Sequence, residues 1–411
     1  MTMILLSIGL VLTPFYELVI KLFPYSVVMT PDTRVAKLQI GMMLALAVGL
    51  YSLFSGEIRR CKNIWILLFL VFIPISIHLS PQYNIELNGV MSPNYWVWKP
   101  FVLYLSFFLM FMSVHSLNIT KESFKSLLNV MVWCGFVMAV YVLLQNFGWD
   151  QFFNKRLGAE FVQVTKPVTV GNLGNSTVVS PYIAMIIPLA LYLRRWVFAG
   201  VMVCAVIACH STMATGAMIV SLLAYACLRG GLKAILGGVL VGLTVAAVLS
   251  FAGYKNPKGF DKVASKVMND NGRVAVWRGV VEKMKNGEFG ESKSRYPFTG
   301  IGPGAYSILM QPLLKTKFAQ VHNEYLQVFC EVGLIGLFLF LMAIAFMVNS
   351  VFRSYLAGTN VPEFSALLAS FICIALVACG TFIWQLSPHN FYTTIIVGLL
   401  HNRRLLKGEL E

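Results

Sequence analysis

A histidine, an asparagine and a glutamate follow one another at residues 322–324, in the run Val321-His-Asn-Glu-Tyr-Leu-Gln327. They stand where a long polar stretch, 253–321, gives way to an apolar segment of membrane length. If a helix begins near His322, its dipole disfavours the charged imidazole, so the ring stays neutral and able to accept a proton. The residue types at this boundary therefore predict general-base chemistry, with His322 as the base.

A polar stripe is predicted on the helix that follows. Glu324, Gln327 and Glu331 fall within about 60° of one another at 100° per residue, and Glu331 lies about 10 Å along the segment. Carboxylates in such segments generally face a polar cavity and serve function. A second candidate, His389 in Pro388-His-Asn390, has no stripe and no basic loop beside it, so we predict that it is structural.

An arginine is the second residue with predicted chemistry. A short helix is expected over 271–287, capped by Asp270 or Asn271 and ended by Gly287. Arg273 falls at the centre of its apolar face, where an arginine needs an anionic partner, and its planar fork suits phosphate. The alternatives are pairing with Asp270 or with lipid headgroups. The expected apolar face comprises Trp277, Val280, Val281 and Met284, and Arg278 is expected at the surface.

Glycines recur between these two elements, in Pro297-Phe-Thr-Gly-Ile-Gly-Pro-Gly304. No strand precedes the run and no Lys-Ser or Lys-Thr follows it, so it does not fit a nucleotide-binding fingerprint. We interpret it as a tight turn that lets the backbone approach a ligand or the helix ends.

Composition places these residues in a membrane protein. Of 411 residues, 58% are apolar and 12% are charged, about half the charged fraction of soluble domains. Twelve apolar stretches predict an all-α polytopic fold with about twelve transmembrane helices. They lie near 3–21, 38–54, 63–80, 96–117, 126–148, 178–193, 196–209, 212–228, 232–252, 326–349, 364–385 and 387–400.

Lysine and arginine predict the orientation of these spans. With the N-terminus inside, the inner links carry thirteen of these residues and the short outer loops six. The prediction is then helices 1–9 over 1–252, a large outer loop with short helices over 253–321, and helices 10–12 with an inner tail over 322–411. That loop holds twelve Lys/Arg against five Asp/Glu, which raises its potential for anions.

Metal and nucleic-acid chemistry have little support. The outer carboxylates form no Asp-x-Asp or other acid pair, so an oxygen-rich metal site is not expected, and none of the eight cysteines forms a Cys-x-x-Cys pair. No metal, cofactor or nucleic-acid partner is predicted. A basic outer loop ending in His-Asn-Glu at the membrane boundary instead favours catalysis on an anionic, lipid-linked substrate.

Three stretches resemble the superfamily of O-antigen ligases and O-antigen polymerases, bacterial inner-membrane glycosyltransferases. The resemblance spans most of the chain, including the large loop between the ninth and tenth helices. The second and third stretches, in order and about fifty residues apart, are the more specific. The three are Gly174-Asn175 with Pro188-Leu189; Gly272-Arg273, Trp277, Pro297 and Gly300-Ile-Gly-Pro-Gly304; and His322-Asn-Glu-Tyr-Leu-Gln327 with Glu331-Val-Gly-Leu-Ile-Gly336.

The resemblance implies transfer of a glycan from undecaprenyl diphosphate to an acceptor hydroxyl at the periplasmic face, without metal. The acceptor is lipid A–core in a ligase and a lipid-linked repeat unit in a polymerase. By the same resemblance His322 takes the acceptor proton and Arg273 binds the diphosphate. Substrate binding is expected of Arg273 and also of Gly302, Gly304, Arg295, Asn323, Glu324 and Tyr325.

One motif departs from the family pattern. Many members carry a second phosphate-binding arginine in a Ser-Arg-Gly-Ala-like motif at the outer start of the eighth span, where this chain has Thr215 in Ser211-Thr-Met-Ala-Thr-Gly-Ala217. His210, Lys293 or Arg295 could replace it. We predict a ligase-like transferase, with a polysaccharide polymerase of the same superfamily as the alternative. A lipid-linked glycan flippase is less favoured, because the internal repeats and broken helices typical of transporters are not evident.

Overall fold

Helices make up nearly all of the described chain in the computed structural model, which covers residues 1–22, 33–56, 58, 63–80, 84–87, 90–93, 95–147, 176–229, 272–286, 296–307, 309–316, 320–358, 361–381 and 387–409. The predicted ninth span, the start of the outer loop, Arg295 and the caps Asp270 and Asn271 lie outside these residues.

The described elements follow one another in this order along the chain. They are α1 (Thr2–Leu22), α2 (Thr33–Phe54), α3 (Ile64–Leu79), β1 (Asn84–Leu87), β2 (Val90–Pro93), α4 (Tyr95–Ser116), α5 (Lys121–Asn146), α6 (Ser176–Ala184), α7 (Ile187–Tyr192), α8 (Trp196–Ala208), α9 (Thr212–Arg229), α10 (Arg273–Asn286), α11 (Tyr296–Thr299), a 3-10 turn (Ala305–Ser307), α12 (Met310–Leu313), α13 (Glu324–Leu356), α14 (Val361–Ala378), α15 (Ser387–Leu400) and α16 (Arg403–Lys407).

Three of the described helices, α5, α9 and α13, are long and apolar enough to cross a membrane. Several shorter apolar helices, among them α3 and α8, accompany them. The all-α class is therefore confirmed in its main feature, and the apolar helices indicate a membrane protein. The number of twelve spans and the placement of the loop between the ninth and tenth stay predictions.

A short antiparallel hairpin adds to the predicted fold. Strand β1 pairs with β2 in the register Leu87 with Val90 and Asn84 with Pro93. The sequence between the strands is Asn-Gly, the dipeptide that two-residue hairpin turns prefer because both positions need a positive φ. This local signal, within a predicted outer loop, explains the departure from an all-helical chain.

The predicted sixth span, 178–193, is broken into α6 and α7. Pro188 stands at the start of α7. Because Pro188 has no N–H to donate to the carbonyl of Ala184, four residues earlier, α6 ends at Ala184 and a new helix begins at Ile187. The apolar stretch is continuous in sequence, but the helix is not.

Two apolar cores hold the bundle together. The larger contains buried side chains of α1, α4, α5, α8, α14 and α15. A smaller one joins α3 to the first turns of α13 through Phe69, Ile73, Ile77, Val328 and Val332. The second core matters for the site, because it fixes the beginning of α13 against the bundle.

Helix α13 is kinked at Gly333, whose φ and ψ are 75° and −174°. The break releases two carbonyls that a regular helix would occupy: Cys330 O accepts from Ile301 N at 3.0 Å, and Glu331 O accepts from Gly302 N at 2.9 Å. Loop backbone thus replaces helix backbone as the partner. From Leu334 to Leu356 the helix is still about 34 Å long at 1.5 Å per residue, enough to cross a membrane.

The two backbones meet through facing glycines. A Cβ on Gly333 would lie 2.3 Å from Phe298 O, and one on Gly300 would lie 2.2 Å from Glu331 O. Ser76 of α3 supports this contact by donating to Thr299 O at 2.6 Å. The glycine-rich run is therefore a tight turn that approaches a helix, which was one of the two interpretations of its sequence.

We expect Gly333→Ala to destabilise the protein by about 3 kcal/mol or more, because the methyl group overlaps Phe298 O and backbone cannot move aside as a side chain can. Thermal unfolding of the purified chain measures this. Gly358→Ala is the matched control: its φ is 72° and nothing lies within 4 Å of its Cβ position, so it carries only the backbone cost of about 1 kcal/mol. Equal melting temperatures for the two variants would contradict the close approach.

Candidate functional site

The polar loop has a small apolar core of its own. Val276, Val280 and Met284 of α10 are buried in it together with residues of the glycine turn, Val321 and Cys330. The predicted helix is thus found at 273–286, within one or two residues of the expected ends. One residue of its expected face is wrong: Val281 is exposed, and Val276 is buried instead. Leu314 packs at Gly279, where a Cβ would lie 2.6 Å from Leu314 Cδ2, so the buried face lies on the Gly279 side of the helix.

Helix α10 forms a hydrogen bond with the residue that precedes His322. Trp277 Nε1 donates to Val321 O at 2.9 Å, across 44 residues of sequence. Arg273 stands one turn before Trp277 on the same side of the helix, and its Nη1 donates to Gly380 O at 2.9 Å, just beyond the end of α14. The loop helix therefore bridges the residue before the histidine and the end of a bundle helix.

His322 precedes α13 by two residues and has a left-handed backbone, with φ 57°. The helix begins at Glu324 because Asn323 caps it: Asn323 Oδ1 accepts from Leu326 N at 3.1 Å. The helix therefore starts close to where the sequence predicted it. Asn323 acts here as an N-cap that sets the direction in which the chain leaves His322.

The polar stripe faces the loop. Gln327 Oε1 accepts from Val321 N at 2.9 Å, and Gln327 Nε2 donates to Glu331 Oε1. Glu331 also accepts from the backbone N–H groups of Gly304 and Tyr306. Both side chains are only 3% exposed. The expectation of a stripe that faces a polar cavity is corrected: these two side chains bind the glycine turn and the residue before His322 to α13.

The environment of His322 lowers its pKa to about 4. Burial is the larger cause, since it penalises the charged ring, and the positive charge of Arg273 is the second. The imidazole is therefore neutral at physiological pH. The sequence predicted a neutral ring, but from the helix dipole; the structure attributes the shift to burial and to the guanidinium, which lies close enough to act on the ring.

We expect the His322 ring to gain its proton only as the pH falls toward about 4, and Arg273→Gln to move that transition to higher pH. Removing the charge removes one of the two causes that lower the pKa, while burial remains. The rate at which diethyl pyrocarbonate modifies His322, which requires the neutral ring, measures the titration when peptides are analysed by mass spectrometry. Arg278→Gln, an exposed change on the same helix, should leave the transition unmoved. A transition near 6.5 in the unsubstituted protein would contradict the assignment.

The beginning of α9 belongs to the same neighbourhood. A Cβ on Gly380 would lie 2.6 Å from the Cε of Met213, and the carbonyl of Gly380 is the one that Arg273 binds. Met213 and Thr215 occupy the first turns of α9. The stretch that has Thr215 where the family pattern has an arginine therefore begins beside Gly380, whose carbonyl oxygen accepts the hydrogen bond from Arg273.

The remaining predicted residues differ in their surroundings. Tyr325 points into the bundle and donates to Ala375 O at 3.1 Å. Glu324 is buried, with 2% of its surface exposed. His389 is fully buried and within reach of Val178 O at 2.8 Å, which agrees with the structural role predicted for it.

A family comparison matches the part of the chain that contains these contacts. Residues 197–341 match the model described as O-Antigen ligase. They are a domain of the O-antigen ligase and polymerase superfamily. The O-antigen ligase domain begins in α8 and runs through α9, α10, the glycine turn and His322 to the middle of α13. No curated protein matches the chain.

Two contacts at the O-antigen ligase domain could not be found from residue types alone. The indole of Trp277 was assigned to an apolar face, but its N–H determines where α10 lies relative to His322. Gln327 was assigned to the stripe without a partner. Its hydrogen bonds with Val321 N and with Glu331 Oε1 were not predicted, although a spacing of four residues puts Gln327 and Glu331 side by side on a helix.

Proposed function

We propose that this protein is a glycosyltransferase that moves a glycan from undecaprenyl diphosphate to an acceptor hydroxyl at the periplasmic face of the bacterial inner membrane, as an O-antigen ligase does. The observation that carries the proposal is the hydrogen bond from Trp277 to Val321, which brings the helix of Arg273 beside His322, with the guanidinium close enough to lower the pKa of the ring. A guanidinium and a neutral imidazole at the rim of a membrane bundle suit a diphosphate donor and a hydroxyl acceptor.

In the proposed reaction the acceptor oxygen attacks the anomeric carbon of the donor glycan. Its proton passes to His322, the bond from that carbon to the phosphate oxygen breaks, and undecaprenyl diphosphate leaves with the electron pair. Arg273 offsets the charge that develops on the leaving phosphate. A diphosphate leaves readily once that charge is held, so the two side chains suffice for the proposed reaction.

The donor itself would make His322 a better base. Without substrate, the charge of Arg273 lowers the pKa of the ring. A diphosphate bound to Arg273 would bring negative charge that offsets this effect, so the pKa of His322 would rise when the donor is in place. Proton transfer would then be favoured only in the loaded site.

Gly302 and Gly304 support the proposed site through backbone. Gly302 N binds α13 at Glu331 O, and Gly304 N binds the Glu331 side chain. The turn that precedes His322 is thereby fixed relative to the kink. We propose that these glycines position the substrate-binding surface, together with Asn323, which caps the helix.

The test is transfer by the purified full chain in lipid vesicles, with undecaprenyl-diphosphate-linked glycan as donor. Two acceptors are compared: lipid A–core, and a second lipid-linked repeat unit. We expect glycan on lipid A–core. Products that contain only longer lipid-linked chains would assign the protein as a polymerase instead. Thr215, which stands where many family members have an arginine, is compatible with that assignment. No transfer to either acceptor by folded protein would contradict both.

A further inference from the structure

A basic cavity lies at the opposite end of the bundle from His322. It has a volume of about 730 Å³, within the range of ligand pockets. Five cations and one carboxylate line it: Lys121, Lys125, Arg194, Arg195, Arg229 and Glu363.

The length of helix α14 gives the distance between the basic cavity and the neighbourhood of Arg273. Glu363 stands in its first turn, and Gly380, whose carbonyl binds Arg273, follows its last. Seventeen residues at 1.5 Å each put the two ends about 25 Å apart. Because the distribution of lysine and arginine predicts that the His322 end is periplasmic, the basic cavity faces the cytoplasmic leaflet.

The charges in this cavity do not balance. Glu363 is the single carboxylate among the described lining residues, it is buried, and Tyr192 donates to its Oε1 at 2.8 Å. Five cations around one volume repel one another, and a single carboxylate that is already hydrogen-bonded offsets only part of their charge. An anion with more than one negative charge therefore fits the cavity best.

A groove continues from the cavity along α5; its near end is polar, with Glu122, Lys125, Ser126 and Asn129, and its far end is apolar. Lys125 and Asn129 line both, and the groove extends past Trp133 and Cys134 of α5 and Val11 of α1. Trp133 and Val11 are about half exposed, at 48% and 45%. A charged cavity that opens into an apolar track is suited to an amphiphile, with its headgroup among the cations and a hydrocarbon chain beside Trp133.

We propose that the cavity binds a phospholipid with two phosphate groups from the cytoplasmic leaflet. The phosphates contact the cations of α5, of the α7–α8 connection and of the end of α9, and one acyl chain follows the groove between α1 and α5. Basic pockets of this kind between membrane helices suit anionic headgroups. Since α14 and α9 contribute to both ends of the bundle, the lipid would brace the helices that also hold the Arg273 neighbourhood.

Native mass spectrometry of the full chain in detergent tests the proposal, with cardiolipin and phosphatidylethanolamine as the probes. We expect cardiolipin to be retained at least about tenfold more strongly than the zwitterionic lipid. Lys121→Gln with Lys125→Gln, both on the exposed surface of α5, should weaken cardiolipin binding about tenfold. Arg194→Gln with Arg195→Gln is an independent pair on another element and should do the same.

Arg353→Gln with Lys407→Gln is the matched control, since it removes two cations from the same predicted side of the membrane and neither lines the cavity. Retained cardiolipin binding in both cavity pairs would overturn the proposal, as would an equal loss in the control pair. Inorganic pyrophosphate is added as a competitor. If it displaces cardiolipin at low concentration, the ligand is a soluble phosphate and the assignment to a lipid is overturned.

Discussion

His322→Asn should lower the rate of glycan transfer by about 10²–10⁴-fold, the usual effect of losing a general base. The choice of asparagine follows from the backbone. His322 has a φ of 57°, a region in which asparagine is tolerated but alanine is strained by about 1–2 kcal/mol. An asparagine therefore keeps the fold and removes only the group that accepts the proton.

Transfer is measured in vesicles at saturating donor, and the amount of folded protein is checked by thermal unfolding. His78→Ala is the control, because His78 is exposed at the end of α3 that carries Ser76, the partner of Thr299. It removes an imidazole from the same end of the bundle without touching the proposed site. A His322→Asn protein with full activity would remove the base from the mechanism, whatever the family resemblance.

Arg273→Lys should reduce transfer by about 10²-fold, and Arg273→Gln by about 10³-fold, since preorganised charge at a leaving group contributes on this scale. Lysine keeps the charge but loses the planar fork that matches a phosphate and binds Gly380. Glutamine loses the charge as well. Lipid-linked donor should accumulate in cells that express either variant.

The control for Arg273 lies on the same helix. Arg278 is exposed, so Arg278→Gln removes the same charge from α10 without changing the contacts at Val321 or Gly380. If Arg273→Gln and Arg278→Gln lose activity equally, the loop acts through its overall positive electrostatic potential rather than through the guanidinium of Arg273. If neither does, the donor phosphate is held elsewhere, and the start of α9 would be the next place to search.

The sequence predicted those parts of the fold that depend on local pattern. Helix α10 follows from an apolar period and the start of α13 from the change of a polar stretch into an apolar one, and both are found within one or two residues of their expected positions. The hairpin was missed, although its Asn-Gly turn is a local signal. The break before Ile187 was also missed, because hydropathy alone does not distinguish a continuous helix from two that meet at a proline.

The geometry of the candidate site depends on contacts between distant residues, which no single-sequence pattern encodes. Residue types and the family resemblance selected Arg273 and His322, but their proximity depends on Trp277 reaching Val321, 44 residues away. The packing of Leu314 at Gly279 is likewise a contact between distant residues. The cause of the lowered pKa of His322 could be assigned only after the arginine was found beside it.

The facing glycines at 300 and 333 have a consequence for engineering. A loop exchanged between two related proteins must bring its own partner surface on the membrane helix, because the contact at Gly300 leaves no space for a mismatched backbone. A chimaera with its junction just before His322 would separate the glycine turn from the part of α13 on which it packs. A viable exchange would have its second junction beyond Gly336, so that Gly333 is transferred together with the loop that packs on it.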